Sequence, residues 1–322
     1  MRYSVGIDLG GTNIKAGLLS EAGKIIYRVV MPTHANSGPK TVAARITDCI
    51  RQVLQQASNI VDDAHTDIVG IGIGSPGLII AQTGVVHFSP NFEGWTDIPL
   101  TDYVKAELTE TELPIFIDND VNAMTLGELH HGAGVEMQSI VCLTLGTGVG
   151  GGVVIDGSVY HGSANTAGEL GHTIVMPDGR FCGCGNQGCL EAYAGARHII
   201  ERTIEKMETG RTSNLTDGAE LTVKDISEAA SAGDELAIEI LADTGRYIGI
   251  ALASIAHILN PQMAIIGGGI ADAGEKLLFE PIRAEVNKRA MDIPAQTMQI
   301  VKAKLGNEAG IVGSAMLAFQ RN

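Results

Sequence analysis

The strongest constraint on the fold is that part of the chain is written twice. IDLGGTNIKAGLLSEAGKII, from Ile7 to Ile26, and LTLGTGVGGGVVIDGSVY, from Leu143 to Tyr160, share one plan. Each reads as an apolar strand, a Gly/Thr turn, a second strand, an acidic-Gly hairpin turn and a third strand. The separation is several-fold longer than the roughly 20–50 residues of a solenoid repeat. Duplication of so long a unit predicts two α/β lobes of one type, with the two Gly/Thr turns facing each other across a central cleft.

The intervening sequence fills in each lobe. Thr41 is expected to N-cap an amphipathic helix whose apolar positions are Val42, Ile46, Ile50, Val53, Leu54 and Ala57. Ile68 to Ile73 is a continuous apolar run of the buried parallel type and ends in Gly74-Ser75-Pro76-Gly77. Pro114 to Ile117 is another, closed by Asp118-Asn119-Asp120, with a helix from Val121 to His131. Asp234 to Leu259 predicts a long, mostly apolar helix, and Met263 to Ile266 a strand ending in Gly267-Gly268-Gly269. Glu308 to Gln320 predicts a terminal helix. The expected division is a smaller lobe of residues 1–121 closed by residues 308–322, and a larger lobe of residues 122–307.

Composition excludes several classes of protein. With 45 % hydrophobic and 18 % charged residues, the chain is globular rather than disordered. A formal net charge of -15 argues against a nucleic-acid surface, which needs basic patches to neutralise phosphates. It leaves room for a nucleotide, because backbone amides of a Gly-rich turn bind phosphates without Lys or Arg. No apolar run is long enough to span a bilayer, and Met1 leads straight into a strand with no cleavable leader, so a cytoplasmic location is expected.

Three of the five cysteines lie in one short stretch, Cys182-x-Cys184-x4-Cys189, with His172 upstream and Glu169 and Glu191 flanking the set. Three thiolates and an imidazole complete a closed tetrahedral zinc site, and Gly183, Gly185 and Gly188 suit a backbone wrapped round a metal. A full set of four ligands leaves no open position, which argues against a zinc hydrolase. Cys49 and Cys142 sit in apolar patterns and read as plain buried residues.

Asp8-Leu9-Gly10-Gly11-Thr12, Leu145-Gly146-Thr147-Gly148 and Gly267-Gly268-Gly269 resemble the phosphate and adenosine motifs of the actin/hexokinase (ribonuclease H-like) ATPase fold. Glu169-Leu170-Gly171-His172, followed by the cysteine array and Glu191, narrows the likeness to the ROK family and, within it, to the zinc-containing bacterial glucokinases. The resemblance runs from Val5 to the terminal helix. It implies ATP-dependent phosphorylation of the 6-hydroxyl of glucose, with Asp120 as general base and Asn119 beside it on the sugar. It also implies sugar contacts from Asn91, Glu169, His172 and Glu191, with His172 both zinc ligand and sugar contact, and a homodimer whose interface lies in the larger lobe.

Asp8 ends a strand where a carboxylate could hold magnesium through water. Gly10, Gly11 and Thr12, with Gly146, Thr147 and Gly148, offer amides and hydroxyls to phosphates; GxxxxGK[ST] does not occur. Gly77 could bring its backbone close to a sugar hydroxyl. Asp118 is open between helix capping and a part in the site, Lys15 between catalysis and solvent, and Trp95 between a sugar face and the core. Kinases for N-acetylmannosamine, N-acetylglucosamine or fructose share these motifs. ROK repressors carry an N-terminal helix-turn-helix, for which a first strand beginning near residue 3 is expected to leave no room.

Overall fold

Each copy of the repeat becomes the antiparallel part of a five-stranded sheet. The computed structural model describes residues 1–60, 67–89, 91–215 and 221–320. In the first sheet β1 (Tyr3–Leu9), β2 (Asn13–Ser20) and β3 (Ile25–Pro32) form a meander. β1 then pairs in parallel with β4 (Ile68–Ser75), and β4 with β8 (Ile115–Asn119). The strand order is β3-β2-β1-β4-β8. In the second, β9 (Ile140–Leu145), β10 (Val149–Ile155) and β11 (Ser158–Val159) supply the meander, and β12 (Met263–Gly267) and β13 (Gln299–Lys302) the parallel strands. Its order, β11-β10-β9-β12-β13, repeats the first. A small third sheet is built from β5 (Leu78–Ile80), β6 (Val85–Phe88) and β7 (Thr96–Ile98).

Two compact units emerge: residues 1–136, 153–167 and 304–322, and residues 137–152 and 168–303. The expected boundary at 121/122 differs from this one, and the reason is a helix crossing. Helix α3 (Asp120–His131), which follows α1 (Pro39–Ala57) and α2 (Leu100–Glu107), packs on the terminal helix, Ala309–Gln320. Gly127 and Gly313 form the crossing; a Cβ at 313 would lie 1.7 Å from the Ala123 carbonyl oxygen. Backbones this close belong to one core.

The terminal helix also lies directly on the first sheet. A Cβ on Gly72 would sit 1.8 Å from the Ser314 carbonyl oxygen, and one on Gly6 2.1 Å from that of Ile311. Every residue from Ala309 to Phe319 is buried, which accounts for a helix that is apolar all round. On the other face α1 buries Val42, Ile46, Ile50 and Val53. It starts before Thr41: Gly38 is the N-cap at φ 85°, and Pro39 occupies the first turn, where its missing N–H costs nothing. Thr41 is therefore not the cap. Trp95 belongs to this core as well, 1 % exposed and stacked on Phe92 at a centroid distance of 4.3 Å.

The second unit continues with α4 (Ala196–Glu208), α5 (Val223–Ser231), α6 (Glu235–Leu259) and α7 (Glu280–Arg289). Asp234 caps α6 by accepting from the Ala237 N–H, and Asn260 ends it in the left-handed conformation at φ 45°. Cys49 and Cys142 are buried. Among the described residues no helix is long and apolar enough to cross a membrane.

Candidate functional site

In the first unit, β8 stops and α3 starts inside Asp118-Asn119-Asp120, and the three side chains divide the work. Asn119 is the N-cap: its Oδ1 accepts from the N–H groups of Val121 at 2.8 Å and Asn122 at 3.2 Å. Its Nδ2 donates to the Gly77 carbonyl at 2.9 Å. Asp118, 2 % exposed, accepts from the Asn119 N–H at 2.7 Å and Asn122 Nδ2 at 3.0 Å, and its other oxygen lies 2.6 Å from His161 Nε2. Asp120, half-buried, opens α3 and accepts from the Val121 N–H at 2.9 Å.

Gly77 is brought to Asn119 by this bond, and its φ of 108° needs glycine; a Cβ there would lie 2.1 Å from the Phe88 carbonyl oxygen. Asn91 is exposed in the turn leading to β7. His161 escaped the sequence reading. A lone histidine after a hairpin strand carries no signature, and only the fold brings it to Asp118.

The first Gly/Thr turn closes through the Gly10 N–H on the Asn13 carbonyl at 3.0 Å, and Thr33 Oγ1 donates to the Gly10 carbonyl at 2.6 Å. Gly11 borders open space and Thr12 is exposed. Asp8 lies before this turn with Lys15 Nζ 3.4 Å from its Oδ2. Burial pushes the Asp8 carboxyl above its ordinary value, and the Lys15 charge opposes the shift. Lys15 is thus paired rather than simply solvated.

In the second unit the other Gly/Thr turn closes in the same way, with the Gly146 N–H on the Gly148 carbonyl at 3.0 Å. Ala196, opening α4, donates to the Gly146 carbonyl at 2.9 Å. Gly267-Gly268-Gly269 abuts this turn: Gly268 has φ 86°, and a Cβ on it would lie 2.2 Å from the Leu145 carbonyl oxygen. Glu191 ties the turn to the cysteines. Its Oε2 accepts from the Val149 N–H at 2.9 Å, and Cys182 Sγ approaches its Oε1 at 3.5 Å.

His172, Cys182, Cys184 and Cys189 come together with all four ligand atoms within 4.8 Å of one another. Cys184 Sγ and Cys189 Sγ are 3.7 Å apart, and Cys182 Sγ is 3.6 Å from His172 Nδ1. A tetrahedron with bonds of about 2.3 Å to sulfur and about 2.0 Å to nitrogen has edges of that size. The donor set therefore fits zinc. Gly185 and Gly188 take φ of 90° and 78°, whereas Gly183 does not enter that region. Burial pushes the Cys182 thiol up to about 12 and the Cys189 thiol upward, whereas a backbone hydrogen bond from Asn186 lowers that of Cys184; a bound metal would favour the thiolate at all three. With Nδ1 on the cysteine side, His172 Nε2 points outward, 3.9 Å from Glu169 Oε2.

Two sheets of identical order, each with a Gly/Thr turn after its first strand, define the actin/hexokinase-like ATPase fold. Known proteins narrow this. The ROK family profile matches residues 4–321. A glucokinase from Halalkalibacterium halodurans is 38 % identical, covering 99 % of this chain and 96 % of that protein. Among solved structures, a ROK family glucokinase from Streptomyces griseus in complex with glucose and AMPPNP superposes with a TM-score of 0.80. That protein is 33 % identical, and the match covers 99 % of each chain. A ROK family transcriptional regulator superposes at 0.87 with 27 % identity, covering 98 % of this chain and 78 % of the other. The chain belongs to the ROK family.

Proposed function

We propose that this protein transfers the γ-phosphoryl group of ATP to the 6-hydroxyl of D-glucose. The observation that carries the reading is whole-length similarity to glucokinases, one of them solved with glucose and AMPPNP. The site chemistry agrees with it. The glucose O6 attacks the γ-phosphorus, the bond from that phosphorus to the β,γ-bridging oxygen breaks, ADP leaves, and the O6 proton passes to the Asp120 carboxylate. Asp118 is engaged by the turn and by His161, and Asn119 carries an amide that takes up no proton, so Asp120 is the member of the triplet suited to act as base.

Glu169, His172 and Glu191, with Asn91, Asn119 and Gly77, are assigned to the sugar hydroxyls. His172 Nε2 suits this part, since a metal on Nδ1 leaves Nε2 as an N–H donor. The amides of Gly10, Gly11, Gly146 and Gly148 and the hydroxyls of Thr12 and Thr147 are assigned to the phosphates, and Gly267 to Gly269 to the nucleoside. Magnesium, when bound with the nucleotide near Asp8, neutralises phosphate charge. Zinc on His172 and the three cysteines supplies rigidity rather than a reaction step.

We place the protein in the cytoplasm as a homodimer joined through the second unit; light scattering on a sizing column would give twice the 33.7 kDa chain mass if so. The deciding experiment is ADP release across a panel of glucose, fructose, mannose, N-acetylglucosamine and N-acetylmannosamine. Glucose should give the highest kcat/KM. A better N-acetylated sugar would move the protein to another ROK kinase, and no sugar-dependent ADP release would leave a sugar sensor.

A further inference from the structure

We propose that His161 is a positioning residue for phosphoryl transfer: through Asp118 it fixes the turn that presents Asp120. The proposal rests on the kinase reading above, in which Asp120 is the base. Its starting point is a buried carboxylate that this chemistry leaves unused. The Asp118 side chain is 3 % exposed, and a carboxylate removed from water must be met by donors. Two of its donors come from the turn itself, the Asn119 N–H and Asn122 Nδ2, both on Oδ1. The third, His161 Nε2 on Oδ2 at 2.6 Å, comes from a residue 43 positions away in sequence.

The geometry of these bonds brackets the base. Asp118 lies on the strand side of Asp120 and Asn122 on its helix side, and one carboxylate joins them. Whatever holds that carboxylate sets both flanks of residue 120. His161 is suited to hold it because its own backbone is closed: the Ala167 N–H donates to the His161 carbonyl at 3.1 Å, and Gly162 turns the chain at φ 69°. The imidazole is 22 % exposed, so the bond is largely shielded from competing water. From this loop the chain runs on to Glu169 and His172.

The test compares His161→Ala, His161→Phe and His161→Gln in the full-length protein. Phe keeps the volume without a donor, and Gln offers an N–H at similar reach. Turnover, glucose affinity by titration calorimetry and melting temperature are read together. Ala and Phe should lower kcat about 10- to 100-fold, the scale expected when a catalytic group is misplaced by about an ångström. Glucose Kd should stay within about 3-fold, and Gln should recover most of the rate. Wild-type kcat in folded His161→Phe would overturn the proposal, as would a folded Gln variant as slow as Ala. Should Ala and Phe both fail to fold, the Gln variant alone decides by its kcat. A wild-type protein without glucose-dependent ADP release would sink the kinase reading instead, a result separable from any variant's behaviour.

Discussion

Asp118, Asn119 and Asp120 are adjacent in sequence and chemically alike, yet the fold gives each a different task. Asn119 caps the helix, Asp118 is braced from residue 161, and Asp120 is the proposed base. Replacing Asp120 by Asn keeps the shape and removes the proton acceptor. Turnover should fall by roughly 10²- to 10⁴-fold with glucose Kd nearly unchanged; calorimetry and the ADP assay together check it, and near-normal turnover would remove Asp120 from the role of base. Lys15 makes a second residue-scale prediction. Burial raises the folded-state value of Asp8, so the folded state holds that proton to higher pH than the unfolded chain does. Stability from this group therefore falls as pH rises from the ordinary carboxylate range to the raised value. Lys15→Ala removes the opposing charge and should deepen that fall. Lys15 is 39 % exposed, so the difference at neutral pH should not exceed about 1 kcal/mol. Melting temperatures of the two proteins should converge in acid, and parallel profiles would show that the pair is immaterial.

At the scale of elements, apolar runs and Gly/Thr turns made β1, β4, β9 and β12 readable, because buried strands must be apolar and tight turns need small residues. Helix starts were less so. Thr41 had the right side chain for a cap, but Gly38 and Pro39 already fixed the entry backbone. The glycines of β1 and β4 that face the terminal helix permit its close approach, which no local pattern announces. Gly72→Ala places a methyl 1.8 Å from the Ser314 carbonyl oxygen, where backbone must move. A loss of about 1–3 kcal/mol, or more if the helix detaches, is expected from urea unfolding. A change below about 0.5 kcal/mol would mean that the helix shifts freely.

For the whole molecule, the expectation is that the His172/Cys cluster, when it holds zinc, couples stability to the proposed sugar site. Glu191 reaches both the second Gly/Thr turn and Cys182, and His172 turns one nitrogen to the cysteines and the other toward Glu169. Cys184→Ala, or removal of zinc by a chelator, should lower the melting temperature and weaken glucose binding at least 10-fold, the lower end for lost metal-site support. Elemental analysis should find one zinc per chain in the wild type. A folded, zinc-free variant with unchanged glucose affinity would confine the cluster to structure alone.

The sequence by itself determined the duplicated α/β plan, the three Gly-rich turns and the set of His172, Cys182, Cys184 and Cys189 that the fold gathers at metal-binding distances. These are local patterns in which period, turn chemistry and ligand spacing suffice. Tertiary structure decided what local pattern cannot reach. It put Trp95 in the core, gave Lys15 to Asp8, and set α3 with the first unit through the Gly127–Gly313 crossing. It also brought His161 to Asp118, because a hydrogen bond between residues 43 apart depends on where the intervening chain has packed.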